Sequence, residues 1–382
     1  MKIALFAPYY PPHIGGIERF VKNLGEHLAR HGHSILIVTS KLEKEPPSVN
    51  VPGMEIVRLP VFRSLSKRYP LFNFNREYHQ ILDRILEFDA DFYILNSRLY
   101  PTSIVGLRLA VKKGKKSLLI EHGSGHVKLP NPIVNFSFHL YEHLATKYLK
   151  RKTNYFYGVS KACINWLNHF GITGNGVVHN GISENISIDK NFDIFSEYKI
   201  PENSFIVTYA GRLIIEKGVD YLADAVELLL DKYRDMYLCI AGEGELFSKL
   251  TTKYSGNNHF IFMGQVPYEK VLRLLEQSDI IVIPSICPEG LPTLLLEAGV
   301  TNCPVIATNQ EGILEVITDD SLGVIIEPAS VQSIYNAMEY LYLNPDYRRK
   351  LGENLGKKVR YEFNWDDITN KFSEELKNIL KL

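Results

Sequence analysis

The sequence predicts an α/β protein made of two Rossmann-like α/β/α domains, and three observations carry that expectation. Short β-branched runs alternate with amphipathic stretches along the whole chain. The strand candidates are apolar nearly throughout, as parallel strands covered on both faces are. At 382 residues the chain also exceeds what one ordinary core organises.

In the first half the strand candidates are KIALFAP at the N-terminus, SILIVTS (34–40), MEIVRLP (54–60), FYILN (92–96), SLLIEHG (117–123) and YFYGVS (155–160). A helix from Ile17 to His31 lies between the first two. Phe20, Val21, Leu24 and Leu28 give it helical spacing, and His31-Gly32 ends it. The second half repeats the pattern with FIVTYAG (205–211), a helix over 218–232, MYLCIAGEG (236–244), HFIFMG (259–264) and a helix over 268–277. DIIVIPS (279–285), a helix over 293–300, CPVIAT (303–308), GVIIE (323–327) and terminal helices follow. The polar stretch 181–200 reads as the linker. The expected domains are 1–185 and 186–360, with 361–382 as a C-terminal helix that crosses back to the first.

Hydrophobic content of 45% with 23% charged residues is that of a soluble globular chain. No apolar run approaches the roughly 18 residues that span a bilayer. Pro8, Pro11 and Pro12 follow the short apolar start at once, so it reads as a buried strand rather than a signal peptide. Cys163, Cys239, Cys287 and Cys303 are far apart, without a CxxC pair, and read as reduced packing residues of a cytosolic protein. The net charge of zero conceals two opposite halves. Residues 1–185 hold 24 Lys+Arg against 13 Asp+Glu, and residues 186–382 hold 19 against 30. Either the halves attract each other, or the basic half meets an anionic substrate or membrane.

In open α/β sheets ligands bind beyond the carboxyl ends of the strands, which directs attention to the loops there and to a cleft between the two domains. Gly15-Gly16 opens the first helix, where backbone N–H groups and the positive helix end suit an anion. The GxGxxG dinucleotide fingerprint is absent from that loop. Between a strand and a helix, AGRLIIEKG (210–218) offers Arg212 and Lys217 five residues apart, able to grip adjacent phosphates as fork and point charge. A solvated loop with a Glu216–Lys217 pair is the plainer alternative. In SICPEGLPTLLLEAG (285–299) two carboxylates, Glu289 and Glu297, stand eight residues apart beside an apolar run. If a helix starts at Pro292, then Gly290, Leu291, Thr293 and Leu294 present N–H groups to a ligand. Glu297 leans back toward the same place. Carboxylates repel phosphate but suit hydroxyls, as a sugar nucleotide requires; simple helix-start acids remain the alternative.

Taken in order, several motifs resemble the retaining glycosyltransferases of the GT-B fold, specifically glycosyltransferase family 4. They are GGIE (15–18), EHG (121–123), GVSKA (158–162), VVHNGI (177–182), AGRL…EKG, AGEGE (241–245), FMGQV (262–266), SDIIVIPS (278–285), the E-x7-E of 289–297, and PVIAT (304–308). The resemblance spans nearly the whole chain and implies a nucleotide-diphosphate sugar donor held mainly by the C-terminal domain. By the same resemblance Arg212 and Lys217 neutralise the diphosphate, and the Gly15-Gly16 loop meets it through the Gly16 amide. Glu289 binds the donor sugar with help from the backbone after Gly290, at Leu291 and Thr293. Glu297 holds the ribose, Gln265 and Val266 meet the base, and His122 lies beside the reacting sugar. The leaving charge is stabilised by fixed donors, so no cofactor and no divalent metal is expected. UDP- or GDP-sugars are the implied donors. A glycan, a polyprenyl- or other lipid-linked molecule or a small molecule is the implied acceptor, in polysaccharide biosynthesis; no nucleic acid partner is expected.

Two departures stand out. The small, glycine-containing turn after the second glutamate is EAGVTNC here, with Asn302 near the expected glycine and tolerant of left-handed backbone. The later GG-x-x-E loop reads Glu311-Gly312-Ile313-Leu314-Glu315, one glycine short. His139-Leu-Tyr-Glu142-His143 has the spacing of an HxxEH zinc site, but its surroundings read as an amphipathic helix. The Lys112–Lys116 run reads as solvated. SLSKRYPLFNFNREYHQIL (64–82) interleaves cations with Tyr69, Leu71, Phe72 and Phe74, either as an ordinary loop or as a patch for an anionic membrane. The protein is thus expected in the cytoplasm, with a peripheral place at the membrane face open. A GT-B epimerase or phosphorylase, and a non-catalytic sugar-nucleotide-binding protein, are the rival functions.

Overall fold

The computed structural model describes residues 1–13, 15–42, 45–62, 69–127, 131–183 and 186–381. They form two compact units, one of Met1–Gly181 with Trp365–Leu382 and one of Ile182–Asn364.

The first unit runs β1 (Lys2–Phe6), α1 (Gly16–Arg30), β2 (Ser34–Lys41), β3 (Ser48–Val51), β4 (Met54–Pro60), α2 (Arg76–Glu87), β5 (Phe92–Asn96) and α3 (Pro101–Lys112). It continues with β6 (Lys116–Glu121), α4 (Pro132–Lys150), β7 (Tyr155–Gly158), α5 (Lys161–Asn168) and β8 (Gly176–Val177). The sheet order is β3-β4-β2-β1-β5-β6-β7-β8. Its pairings are parallel except the β3–β4 edge. Both faces are covered, which is why Leu5, Ile37 and Ile94 on one side and Phe6, Val38 and Leu95 on the other are all buried. The continuous apolar strands of the sequence are this two-sided burial.

The second unit runs α6 (Ile194–Glu197), β9 (Phe205–Ala210), a 3-10 turn (Ile215–Lys217), α7 (Val219–Leu230), β10 (Met236–Ala241), α8 (Phe247–Lys253), β11 (Phe260–Gly264) and α9 (Tyr268–Glu276). Then come β12 (Ile280–Ile283), α10 (Thr293–Val300), β13 (Val305–Thr308), α11 (Glu311–Leu314), β14 (Val324–Ile326), α12 (Val331–Leu343) and α13 (Pro345–Glu362). Its all-parallel sheet has the order β11-β10-β9-β12-β13-β14. That is the doubly wound order, with the topological switch between the first and fourth strands, β9 and β12.

The crossing points differ from the sequence reading. The chain enters the second unit after Gly181, and most of 181–200 is not a linker: Phe192, Ile194 and Ile200 are buried against Ile206, Cys239 and Leu274. Three apolar anchors in a polar stretch suffice to dock it. The return comes at Trp365 rather than 361. Ile182 N–H donates to the Phe363 carbonyl, so the incoming and outgoing segments run side by side. Beyond Asn364, α14 (Trp365–Leu380) adds Trp365, Phe372 and Leu376 to the core of the first unit, Trp365 lying against Phe20 at 5.5 Å between rings. Asn302 takes φ +55°, the left-handed turn expected of it, and accepts from Arg360 through Oδ1 at 2.8 Å.

Candidate functional site

The loops at the carboxyl ends of β9, β10, β12 and β13 interlock through backbone contacts that only glycine admits. Gly218 has φ +65°, and a Cβ there would stand 2.1 Å from the Pro284 carbonyl oxygen. The Ile286 N–H donates to the Glu216 carbonyl at 2.9 Å, which seals the loop after β9 against the loop after β12. On the other side of that loop, a Cβ on Gly312 would overlap the Gly290 carbonyl at 1.7 Å. The glycine kept in the Glu311–Glu315 loop, Gly312, is therefore the one that this packing needs.

Between these loops, at the switch between β9 and β12, Lys217 Nζ donates to Glu289 Oε1. Ser285 Oγ donates to the same carboxylate oxygen at 2.5 Å, and the Ser285 carbonyl accepts from Thr308 Oγ1 at 2.7 Å. Beneath them Tyr209 Oη donates to the Arg212 carbonyl at 2.8 Å. Burial first, and the Glu289 charge second, push that phenol far above its ordinary range, so it remains a donor. The Arg212 side chain is exposed and, among the described residues, enters no ion pair. The residues assigned separately to phosphate and sugar thus include one direct ion pair. Lys217 spends one of its three donor hydrogens on Glu289 and keeps two for ligand oxygens.

Helix α10 starts one residue later than Pro292, which stands at the N-cap, and no side chain caps it. The N–H groups of Thr293 and Leu294 are in the first turn, while Leu295 N–H is already bonded to the Pro292 carbonyl. Leu291, Leu295 and Leu296 are core. Glu297, in the second turn, is only 3% exposed. Gln265 and Val266 follow β11, whose last residue, Gly264, accepts from the Gly242 N–H at 2.7 Å. Seven assigned residues from Arg212 to Glu297 thus stand in the loops after β9 and β12 or on α10, and Gln265 and Val266 stand two strands away at the edge β11.

In the first unit Gly15 and Gly16 open α1 after β1, and His122 follows β6. His122 Nε2 meets Asn96 Oδ1 at 3.0 Å, and Asn96 Nδ2 donates to the Phe6 carbonyl at 3.1 Å. That second bond fixes the amide, so Nε2 carries the proton and Nδ1 keeps its lone pair. Burial lowers the His122 pKa to about 4, against the opposing pull of Glu121 and Glu18. It is a neutral acceptor at pH 7. Gly16 borders open space, whereas Gly15 is crowded by Glu18, a buried carboxylate that bonds His13 Nδ1 at 2.9 Å. An acid already sits in the first turn of α1, where the sequence reading foresaw only an anion.

Glu18, Asn96, Ser285 and Tyr209 were missed as site residues. Glu18 stood inside the quoted GGIE motif and could have been found there; Asn96 and Tyr209 look like strand residues in the sequence. Of the basic–aromatic stretch, residues 64–68 lie outside the described residues. Phe72 is core, Tyr69 packs on Tyr100 and Tyr141, and Leu71 and Phe74 are exposed. Only part of that stretch is surface.

Comparison with known proteins agrees with this architecture. Residues 14–185 match the family described as Glycosyltransferase Family 4, and residues 190–358 match Glycosyl transferases group 1. An uncharacterised glycosyltransferase of Methanocaldococcus jannaschii is 28% identical over 98% of this chain and 97% of its own length. Sucrose-phosphate synthase of Thermosynechococcus elongatus superposes with a TM-score of 0.78 at 19% identity, covering 100% of this chain and 99% of its own. Anabaena HepE, solved in complex with UDP-glucose, gives 0.75 at 17% identity over 99% of this chain and 100% of its own. With both halves matched in order and the fold shared end to end, the chain belongs to the superfamily of GT-B-fold glycosyltransferases, enzymes that transfer a sugar from a nucleotide-sugar donor.

Proposed function

We propose that this chain is a retaining, metal-independent family 4 enzyme that moves a hexosyl group from a UDP- or GDP-sugar to a glycan, lipid-linked or small-molecule acceptor. The observation that carries the proposal is the Lys217–Glu289 pair at the switch between β9 and β12, beside Arg212 and the uncapped start of α10. A diphosphate needs cations and N–H donors; a hexose needs carboxylate acceptors. The fold brings both kinds of group together there. HepE's complex with UDP-glucose supports a uridine diphosphate sugar as the first donor to try.

In the reaction the bond from the anomeric carbon to the β-phosphate oxygen breaks. A bond from that carbon to an acceptor hydroxyl oxygen forms, and the hydroxyl proton passes to the departing phosphate. Arg212 and Lys217 stabilise the charge that develops on that phosphate, and fixed donors of this kind contribute most where charge appears only in the transition state. Glu289 accepts from sugar hydroxyls, Glu297 from the ribose, and Gln265 and Val266 border the base. Gly16 and neutral His122, with Nδ1 as acceptor, serve the diphosphate and the donor sugar.

The basic half of the chain, with Phe74, Phe136, Leu140 and Leu144 exposed on its unit, supports peripheral contact with an anionic membrane from the cytoplasmic side. No helix among the described residues is long and apolar enough to cross a membrane. Sedimentation with vesicles tests this; binding indifferent to anionic lipid content removes it.

The test of the activity is incubation with UDP- and GDP-sugars and candidate acceptors in EDTA, with NMR of the product's anomeric proton. The proposal expects release of nucleotide diphosphate and a product that keeps the donor's configuration. An inverted product, or turnover restored only by Mg²⁺ or Mn²⁺, overturns the retaining or the metal-independent part. Binding without transfer to any acceptor favours the sugar-nucleotide-binding reading.

A further inference from the structure

The HxxEH spacing on α4 looked like a coincidence of an amphipathic helix, but the fold adds two histidines to it from elsewhere. His126 comes from the loop after β6, and His169 stands at the C-cap of α5. One ligand nitrogen from each of His126, His143 and His169 lies within 4.8 Å of the others. We infer that these three imidazoles form a binding site for a divalent transition ion of the Zn²⁺ class, separate from the donor-binding residues of the second unit.

Three features support it. The first is the carboxylate behind His126. Fully buried Glu142 accepts from His126 Nδ1 at 2.6 Å and from Arg98 Nη2 through its other oxygen. With Nδ1 committed as donor, His126 Nε2 is left as a lone pair, the carboxylate–histidine arrangement that holds metal-ligating imidazoles in one tautomer. The second is charge. Arg98 is shared between Glu142 and Glu121, so the buried group carries one net negative charge beneath the histidines. A cation is favoured there.

The third is ring support. Trp166 stacks on His169 with centroids 4.9 Å apart and planes 5° apart, and His126 lies edge-on to Trp166 at 4.6 Å. Imidazole is the ligand type that Zn²⁺, Cu²⁺ and Ni²⁺ share. Tetrahedral Zn²⁺ with bonds of about 2.0–2.1 Å needs nitrogens roughly 3.4 Å apart. His143 and His169 are exposed and can swing by the ångström or so that this takes. His139 is the rival ligand, since His126, His139 and Glu142 also converge within 4.8 Å. Its Nε2, however, faces the Val127 carbonyl at 3.3 Å, and Glu142 is already occupied on both oxygens.

Bound there, the ion would tie the loop after β6, which begins at His122, to α4 and α5. Its role is therefore to hold His126 to α4 and α5, and the inference does not depend on the proposed transfer reaction. The test is titration of the tag-free, EDTA-stripped full chain with Co²⁺ by visible absorption and with Zn²⁺ by calorimetry. One ion per chain is expected. His143→Ala and His169→Ala should each weaken binding at least about tenfold, the double variant should abolish it, and His139→Ala should leave it within about threefold. The two substituted positions are exposed, so folding is retained, and circular dichroism checks this. Absence of binding, or equal binding by the double variant, overturns the site; a larger loss for His139→Ala overturns the three-histidine assignment.

Discussion

Glu289 answers to two neighbours at once, the ammonium of Lys217 and the hydroxyl of Ser285. Assigned to the sugar, Glu289→Gln is expected to lower kcat by about 10²–10³ while nucleotide-diphosphate affinity moves by no more than about threefold. Assigned to the ribose and almost wholly buried, Glu297→Gln should do the reverse, weakening nucleotide binding about tenfold or more with kcat nearly kept. Steady-state kinetics with calorimetry of the nucleotide diphosphate distinguishes them; equal effects on both quantities contradict the division. Because Lys217 and Glu289 touch, Lys217→Met and Glu289→Gln should also be non-additive in kcat/KM. The types and spacing of these residues were legible in the sequence. Their pairing was not, since 72 positions separate them and only the crossing of two loops joins them.

At the level of elements, the strands and the helices around the switch were legible because two-sided burial leaves an unbroken apolar run. The docking of 192–200 and the histidines beside α4 were hidden, because single anchors in polar sequence have no period. Gly218 shows what a loop residue holds in place. Gly218→Ala meets both a positive φ and the Pro284 carbonyl, so a loss of about 2 kcal/mol or more is expected in urea unfolding, with Lys217 displaced and activity reduced. A stability unchanged within about 0.5 kcal/mol, the size of a neutral surface change, contradicts the contact.

Helix α14 carries a pH dependence of its own. His33 Nε2 meets Ser373 Oγ at 2.8 Å, and burial, followed by the charge of the N-terminus, lowers the His33 pKa to about 4 from 6.5. The folded state therefore binds fewer protons than the unfolded chain between those values, and stability falls as pH drops through that window. His33→Gln should flatten the decline of Tm from pH 6.5 to 4. An unchanged slope contradicts a buried neutral His33, while His122, lowered in the same way, adds to the decline that remains.

For the whole molecule, opposite net charges of the two halves were visible in the composition, and the two compact units give each half its own sheet. The acidic unit nonetheless carries Arg212 and Lys217, the cations proposed for the diphosphate. On the function proposed above, Arg212 and Lys217 act by position at the strand ends, against the sign of the unit around them. Calorimetric titration of UDP and GDP in EDTA into the wild-type chain, Arg212→Ala, Lys217→Ala and the double variant tests that role. At least one nucleotide diphosphate is expected to bind without metal, weakened about tenfold or more by either substitution. Wild-type binding that survives the removal of both cations would place the diphosphate elsewhere and contradict it.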